Sequence, residues 1–227
     1  MAIQRPGKII GVGRNYREHA AELGHVVPRQ PLLFLKPGTA VIGDGDAIVL
    51  PPESGRIEFE AEIGVVIARR IRRASAVEAL AAIGGITCVN DVTARDIQRA
   101  EEQWTRAKGF DTFCPVGPRV VALDAARLGE LEVRCRVNGV ERQRGRASDM
   151  VFAIPAIVAF VSQTMTLEPG DLIATGTPAG VGPLMAGDVV EVEIPGVGVL
   201  RNPVAAESRG ATAGAPGRGS PGVPTGG

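Results

Sequence analysis

The stretch Arg56-Ile-Glu-Phe-Glu-Ala-Glu-Ile-Gly-Val-Val-Ile67 lies in the first third of the chain. Its apolar residues alternate with glutamates, and this period of two is typical of a half-buried strand. The alternation places Glu58, Glu60 and Glu62 on one face, with neighbouring carboxylates about 7 Å apart. Residues 64–67 are all apolar or glycine, which indicates a strand buried on both faces. The sequence therefore predicts a row of carboxylates at the start of a core strand.

Such a row of like charges is costly near a protein core unless a cation neutralises it. A divalent cation held by oxygen ligands would do so. The alternative is a solvated strand face flanked by arginines. The Glu-x-Glu spacing recurs at Glu191 and Glu193, where nothing nearby suggests chemistry. The spacing alone therefore leaves both interpretations open.

The composition limits the class of protein. The chain has 227 residues, enough for one well-filled domain or two small ones. It carries 25 basic and 25 acidic residues, so no net field attracts nucleic acid or an anionic membrane. The longest apolar stretch, residues 152–161, contains Pro155 and is too short to span a bilayer. We therefore predict no nucleic-acid partner, no membrane partner and no secretory signal.

Cysteine and lysine usage add two expectations. Three cysteines stand far apart without a Cys-x-x-Cys pair, which predicts buried, reduced thiols and a cytoplasmic location. The 25 basic residues include only three lysines: Lys8, Lys36 and Lys108. Because lysine can give up a proton and arginine cannot easily do so, a lysine retained in an arginine-rich chain can be present for its chemistry.

The pattern along the chain predicts one globular domain over residues 1–205 and a disordered tail over 206–227, which is rich in Gly, Pro and Ala. Strands are predicted at 8–12, 32–35, 47–50, 57–68, 86–90, 131–137, 140–143, 171–175 and 189–194. Helices are predicted at 16–23, 75–83, 94–107 and 154–164. Because the helices interrupt the strands irregularly, we predict an α+β, β-rich fold and not a doubly wound sheet.

Asp91 follows the strand predicted at 86–90 and opens a polar run. With Glu60 and Glu62 it would give three hard oxygen ligands and leave open positions on Mg²⁺ or Mn²⁺. The alternative is that Asp91 is the N-cap of the helix that follows.

A histidine and a glutamate lie three residues apart on the helix predicted at 16–23. This spacing places His19 and Glu22 on one face, where Glu22 would orient the imidazole of a general base. An ordinary exposed pair is the equally supported alternative. The other histidine, His25, follows a glycine and is given no role.

Residues 170–182 form a Gly/Thr-rich segment after a predicted strand. The segment lacks the Gly-Lys-Thr of a phosphate loop and any Gly-x-Gly-x-x-Gly between strand and helix. We interpret it either as a loop whose amides and hydroxyls bind a small carboxylate or as a tight turn.

Taken in order, these segments resemble the fumarylacetoacetate hydrolase family in its shorter form, over about residues 8–204. The ordered motifs are Gly13-Arg-Asn-Tyr16 with His19 and Glu22, Leu35-Lys-Pro37, Glu60-x-Glu-Ile-Gly-Val-Val, Asn90-Asp-Val-Thr-Ala-Arg-Asp96, Lys108 before Gly-Phe, Val137-Asn-Gly with Gln143, Ser148-Asp-Met, and Thr175-Gly-Thr-Pro-x-Gly-Val-Gly182.

The resemblance implies a mixed β-sandwich roll with a few short helices, and a homodimer. It implies Mg²⁺ or Mn²⁺, with Ca²⁺ as a substitute in crystals, held by Glu60, Glu62 and Asp91. It also implies substrates that are small 2-oxo or 1,3-dicarbonyl acids. Glu58 is expected to lie beside the metal ligands.

The resemblance also assigns roles to other residues. It implies catalytic roles for His19, Glu22 and Lys108, with the helix at 16–23 acting as a lid. The implied substrate-binding residues are Arg14, Arg95, Gln143 and Thr177.

The predicted activity is hydrolysis of a C–C bond in acylpyruvate-type 2,4-dioxo acids, giving pyruvate and a carboxylic acid. The alternatives on the same metal site are oxaloacetate decarboxylation and the 2-hydroxyhepta-2,4-diene-1,7-dioate isomerase reaction of aromatic catabolism. A third alternative is a catalytically silent relative that serves as a binding or scaffold protein.

Overall fold

The computed structural model describes residues 6–22, 24, 26–122 and 124–207. Leu23, His25 and the tail from residue 208 onward, about which predictions were made above, lie outside the described residues. The strands are β1 (Ile9–Gly13), β2 (Leu32–Lys36), β3 (Val41–Ile42), β4 (Ile48–Leu50), β5 (Ile57–Phe59), β6 (Ala61–Ile67), β7 (Ile83–Asn90), β8 (Thr93–Ala94), β9 (Cys114–Val121), β10 (Glu132–Val137), β11 (Val140–Arg146), β12 (Leu172–Ala174), β13 (Gly182–Pro183), β14 (Val189–Ile194) and β15 (Gly198–Ala206). The helices are α1 (Arg17–Glu22), α2 (Ala76–Ala82), α3 (Arg95–Ala100), α4 (Thr105–Lys108) and α5 (Ile154–Thr164).

The strands form three sheets. The seven-stranded sheet has the order β2-β1-β12-β6-β7-β9-β3, and the five-stranded sheet has the order β11-β10-β14-β15-β4. The third sheet is small, with the order β13-β5-β8. Most pairs are antiparallel, but β1 pairs with β12 in parallel although more than 150 residues separate them. The predicted β-rich α+β fold is confirmed.

The predicted strand over 57–68 is in fact two strands that belong to different sheets. Strand β5 lies in the three-stranded sheet and β6 in the seven-stranded sheet, with Glu60 at the junction. The Glu60 amide donates to Asn90 Oδ1 at 3.0 Å, and the Glu60 carbonyl accepts from the Asp91 amide at 2.8 Å. The side chains of Glu58, Glu60 and Glu62 are all buried, which excludes the solvated strand face.

Strand β6 is the predicted core strand. It lies between β12 and β7, and its residues are buried except for the half-buried Val66. Gly64 suits this position because a Cβ there would lie 2.5 Å from Val89 Cγ2 on the neighbouring strand. The two strands can therefore approach closely at the centre of the sheet.

One helix prediction needed correction. The helix predicted over 94–107 is divided into α3 and α4, with residues 101–104 between them. Helix α2 begins with a capping box, in which the Glu78 amide donates to Ser75 Oγ and the Ser75 amide donates to Glu78 Oε2. Strands β3, β8, β9, β13 and β15 were not predicted.

Among the described residues, every helix is too short or too polar to cross a bilayer.

The three cysteine thiols are buried and unpaired by disulfides, which agrees with the prediction for them. Burial raises the pKa of Cys88 and of Cys114 from 9.0 to about 12, and also raises that of Cys135. This lowers the thiolate fraction at pH 8 by roughly 1,000-fold for the first two.

We expect the native protein to be inert to a disulfide reagent such as DTNB at pH 8, and the protein unfolded in guanidinium to react with three equivalents of the reagent. A rapid reaction of the native protein would contradict the packing around these thiols.

Candidate active site

The three predicted metal ligands converge. Glu60 lies at the β5–β6 junction, Glu62 lies on β6, and Asp91 directly follows β7. One carboxylate oxygen from each lies within 4.8 Å of the others, and all three side chains are buried. Three hard oxygen donors in one buried cluster fit a divalent ion such as Mg²⁺ or Mn²⁺, with positions left for other ligands.

Asp91 does not cap the helix that follows it. The residue at the N-cap position of α3 is Ala94, which makes no side-chain capping hydrogen bond. The Asp91 carboxylate instead accepts from Lys36 Nζ at 2.5 Å and from Lys108 Nζ at 2.6 Å.

Cations also contact Glu60 and Glu58. Lys108 Nζ donates to Glu60 Oε2 at 2.8 Å, and Arg95 Nη2 donates to Glu60 Oε1 at 2.5 Å. Arg95 Nε donates to Glu58 Oε2 at 2.7 Å, and Arg56 contacts the other Glu58 oxygen at 2.6 Å. Glu58 therefore lies beside the cluster and reaches it through Arg95, as expected.

The two glutamates of the cluster differ in proton affinity. Burial raises the pKa of Glu60, but Lys108 and Arg95 outweigh it and hold that pKa well below its usual range. Burial and then the charges of Asp91 and Glu60 raise the pKa of Glu62 well above its usual range. Burial lowers the pKa of Lys108, yet Asp91 and Glu60 raise it overall, so its ammonium group stays charged. The cluster therefore has an anionic side at Glu60 and a proton-binding side at Glu62.

A cavity of about 370 Å³ opens onto this cluster. Its walls contain the three carboxylates and five other residues predicted to have catalytic or substrate-binding roles: Arg14, His19, Arg95, Lys108 and Thr177. The cavity is large enough for a small organic acid.

His19 and Glu22 form a pair on α1. His19 Nδ1 lies 3.2 Å from Glu22 Oε2, and the imidazole is buried. The Glu22 carboxylate is more exposed and also accepts from the Gly180 amide, at 3.1 Å to Oε1. Glu22 thus connects helix α1 to the Gly/Thr-rich loop while it orients the imidazole. With Nδ1 engaged by Glu22, Nε2 is the nitrogen left for a substrate.

Arg14 is held in an unusual backbone conformation at the edge of the cavity. Its φ of 58° is in the left-handed region, which is uncommon for a residue other than glycine. Its guanidinium carbon lies 6.0 Å from the ring centroid of Trp104, and its buried Nε has no hydrogen-bond partner among the described residues. A guanidinium placed in this way can receive a carboxylate.

The family model for the fumarylacetoacetate (FAA) hydrolase C-terminal domain matches residues 8–205. The chain belongs to the fumarylacetoacetate hydrolase family. Mitochondrial oxaloacetate tautomerase FAHD2A from Bos taurus is 43% identical to it over 212 residues, which cover 89% of this chain and 68% of the relative.

Two solved structures share the fold of this member of the fumarylacetoacetate hydrolase family. The 5-carboxymethyl-2-hydroxymuconate delta-isomerase from Mycobacterium smegmatis is 46% identical, with a TM-score of 0.83 over 90% of this chain and 81% of that one. The 2-hydroxyhepta-2,4-diene-1,7-dioate isomerase from Mycobacterium marinum is also 46% identical, with a TM-score of 0.82 over 90% and 77%. These matches confirm the predicted family fold, and the chain is an enzyme of this family.

Gln143 has a different environment from the other predicted substrate contacts. Its Oε1 accepts from the Ala61 amide at 3.0 Å, and its Nε2 donates to Thr177 Oγ1 at 2.8 Å and Pro178 O at 2.7 Å. It is buried and is not among the cavity-lining residues. The Thr177 hydroxyl, which does reach the cavity wall, also donates to Ala61 O. Gln143 thus joins the start of β6 to the Gly/Thr-rich loop.

Several residues of the site were not predicted from the sequence. The cavity wall also contains Phe34, Gln98, Arg99, Glu101 and Trp104. Lys36 lies behind Asp91, outside the cavity wall. The rarity of lysine was a signal for Lys36, but nothing local in the sequence indicates its partner.

Proposed function

We propose that this member of the fumarylacetoacetate hydrolase family acts on small 2-oxo acids through an enolate, by moving a proton between carbon and oxygen or between two carbons. The observation that carries the proposal is the buried cluster of Glu60, Glu62 and Asp91, which shares one cavity with His19 and Lys108. The relatives named above, a tautomerase and two isomerases, support this class of reaction.

The formal charges of the cluster agree with such a substrate. The carboxylates of Glu58, Glu60 and Asp91 are paired with three buried cations, Lys36, Arg95 and Lys108, and with the exposed Arg56. A Mg²⁺ or Mn²⁺ ion held by Glu60, Glu62 and Asp91 would add two positive charges and supply Lewis-acid stabilisation of an enolate. The enolate of a 2-oxo acid carries two negative charges on adjacent groups, so it would match the two positive charges of the ion.

The chain's own groups supply the proton transfer. His19, oriented through Nδ1 by Glu22, would take a proton from the substrate carbon at Nε2 and return it at the new position. Lys108 keeps its positive charge and would stabilise negative charge that develops on the substrate oxygen. The cavity wall formed by Phe34 and Trp104, whose rings lie 5.5 Å apart, would limit access of water.

Acylpyruvate hydrolysis is the second candidate. The buried His19–Glu22 pair favours it, because attack of water on a carbonyl needs a base. His19 would take a proton from water as its oxygen bonds to the distal carbonyl. The C–C bond then breaks, the electron pair remains on the pyruvate enolate, and a proton converts that enolate to pyruvate. Decarboxylation of oxaloacetate needs the same enolate but no attacking water.

An assay with three substrates distinguishes these reactions. The purified chain is incubated with Mg²⁺, Mn²⁺ or EDTA and with oxaloacetate, acetylpyruvate or a 2-hydroxy-dienedioate. Metal-dependent enol–keto exchange of oxaloacetate or isomerisation of the dienedioate, well above pyruvate release from acetylpyruvate, is the expected result. Faster pyruvate release from acetylpyruvate would favour the hydrolase. No turnover and no metal dependence would favour a silent binding protein.

We also propose that Arg14 binds a substrate carboxylate. Replacing a guanidinium that forms a charge-assisted bidentate contact removes about 1.5–3 kcal/mol, so Arg14→Gln should raise KM roughly 10- to 100-fold. The value of kcat should change much less. Arg17→Gln, on the exposed side of α1, removes the same charge away from the cavity and should leave KM unchanged. A loss confined to kcat would contradict a binding role.

The homodimer and the cytoplasmic location remain proposals. Leu32 and Leu35 are exposed on β2, an edge strand of the seven-stranded sheet, and this supports burial of that edge in a dimer. The three buried free thiols support a reducing compartment. Light scattering on the purified chain would give the oligomeric state directly.

A further inference from the structure

Lys36 ends strand β2 with its side chain completely buried. Its Nζ donates to Asp91 Oδ1 at 2.5 Å and to the carbonyl oxygen of Val92 at 3.2 Å. An ammonium group buried in this way is tolerated only when it is paired and hydrogen-bonded. Because Lys36 does not line the cavity, it has no path to a substrate there.

Each carboxylate of the cluster has one oxygen fixed by a different group. Arg95 holds Glu60 Oε1, the Gly176 amide holds Glu62 Oε2 at 2.7 Å, and Lys36 holds Asp91 Oδ1. The second oxygens of Glu60 and Asp91, Oε2 and Oδ2, share one partner, because both accept from Lys108 Nζ. Lys36 is therefore a partner of Asp91 alone, whereas Lys108 bridges two carboxylates.

Lys108 lies on the side of the cluster toward which Glu60 Oε2 and Asp91 Oδ2 point. Its Nζ contacts Glu60 Oε2 and Asp91 Oδ2, and Lys108 lines the cavity whereas Lys36 does not. The two lysines thus hold opposite oxygens of Asp91, one from the cavity side and one from behind. The second contact of Lys36, to Val92 O, fixes its ammonium relative to the backbone beside Asp91.

We propose that Lys36 is a positioning residue that holds Asp91 as a single-oxygen ligand for the divalent ion. This inference rests on the proposed metal-dependent function. The two possible effects of Lys36 on metal affinity have opposite signs. A positive charge beside a ligand opposes cation binding, so its removal on electrostatic grounds alone would tighten binding. Loss of an orienting partner behind a ligand weakens metal binding, by about 10- to 100-fold in proteins.

The test compares two lysine variants that each break a pair with a buried aspartate. Lys36→Met removes the contact behind Asp91, and Lys8→Met removes the Lys8–Asp171 pair, whose members are not among the cavity-lining residues. Mn²⁺ binding is measured by the loss of the free-ion EPR signal. We expect roughly 10- to 100-fold weaker binding in Lys36→Met and wild-type binding in Lys8→Met.

Lys36→Gln supplies a second measurement, because it keeps a donor of similar length without the charge. Positioning predicts Mn²⁺ affinity between wild type and Lys36→Met, whereas charge alone predicts that both variants bind more tightly than wild type. Thermal unfolding in EDTA establishes that the variants are folded, and Lys36→Gln carries the test if Lys36→Met is not. Unchanged or tighter Mn²⁺ binding in the folded variant would overturn the role of Lys36. Failure of the wild type to bind Mn²⁺ would instead overturn the metal site itself.

Discussion

Glu60→Ala is expected to abolish Mn²⁺ binding and to lower every metal-dependent activity by at least about 1,000-fold. Glu60 supplies one of three clustered oxygens, and Lys108 and Arg95 hold its pKa well below its usual range, so it is ionised without an ion. Loss of several kcal/mol of Lewis-acid stabilisation corresponds to a rate effect of about this size. Mn²⁺ titration by EPR and the three-substrate assay measure the two losses separately.

The substitution has a structural consequence that needs a control. Removing Glu60 leaves Arg95 and Lys108 with one buried partner fewer, and breaking such a pair costs about 3–5 kcal/mol. Glu60→Gln keeps the shape and separates loss of charge from loss of packing. Glu193→Gln, in the second Glu-x-Glu of the chain, removes a half-buried carboxylate that pairs with Arg136 and should leave metal binding intact. Stoichiometric Mn²⁺ binding by Glu60→Ala would show that the ion binds elsewhere.

His19→Ala is expected to lower hydrolysis and isomerisation by about 10²- to 10⁴-fold while it leaves much of any oxaloacetate decarboxylation. The first two reactions need a base, and His19 lines the cavity. Decarboxylation needs only stabilisation of the enolate, which the carboxylate cluster and Lys108 would still provide. Mn²⁺ affinity should remain at the wild-type value, because His19 is outside the carboxylate cluster.

Glu22 provides the matched test of the pair. Glu22→Gln keeps a side chain of the same size next to His19 and the Gly180 amide but removes the negative charge. It should therefore give a smaller loss than His19→Ala and shift the pH profile of the base-dependent reactions. Equal losses of hydrolysis and decarboxylation in His19→Ala would contradict this division of roles. The rates of pyruvate release and of carbon dioxide release, measured on the same preparation, test this division of roles.

The sequence was sufficient for the class of fold and for the acidic cluster. The alternation around Glu60 correctly indicated strand structure, and the carboxylates at 60, 62 and 91 do converge. The break at Glu60 could not be predicted, because the apolar–acidic period continues unchanged where the hydrogen-bonding partners change from one sheet to another. That change depends on Asn90, which is distant in sequence and whose Oδ1 accepts a hydrogen bond from the Glu60 amide.

Long-range partners account for most of the remaining differences. Residues 101–104 contain neither glycine nor proline, so no local signal divides α3 from α4. The contacts of Gln143 with Ala61 and Thr177 span 82 and 34 residues, and the Lys36–Asp91 pair spans 55. The residue type shows that such a side chain is polar, but it does not specify which atoms will be its hydrogen-bond partners.

The amide that fixes Glu62 has a consequence for how the protein is made. Glu62 and Gly176 are 114 residues apart, and the hydrogen bond from Thr177 to Ala61 spans 116. During synthesis all three acidic residues therefore leave the ribosome long before the segment that fixes one of them. A nascent chain ending before residue 176 would carry these carboxylates without the amide that orients Glu62. Capture of an ion with native geometry is consequently a late event, which follows translation of most of the domain.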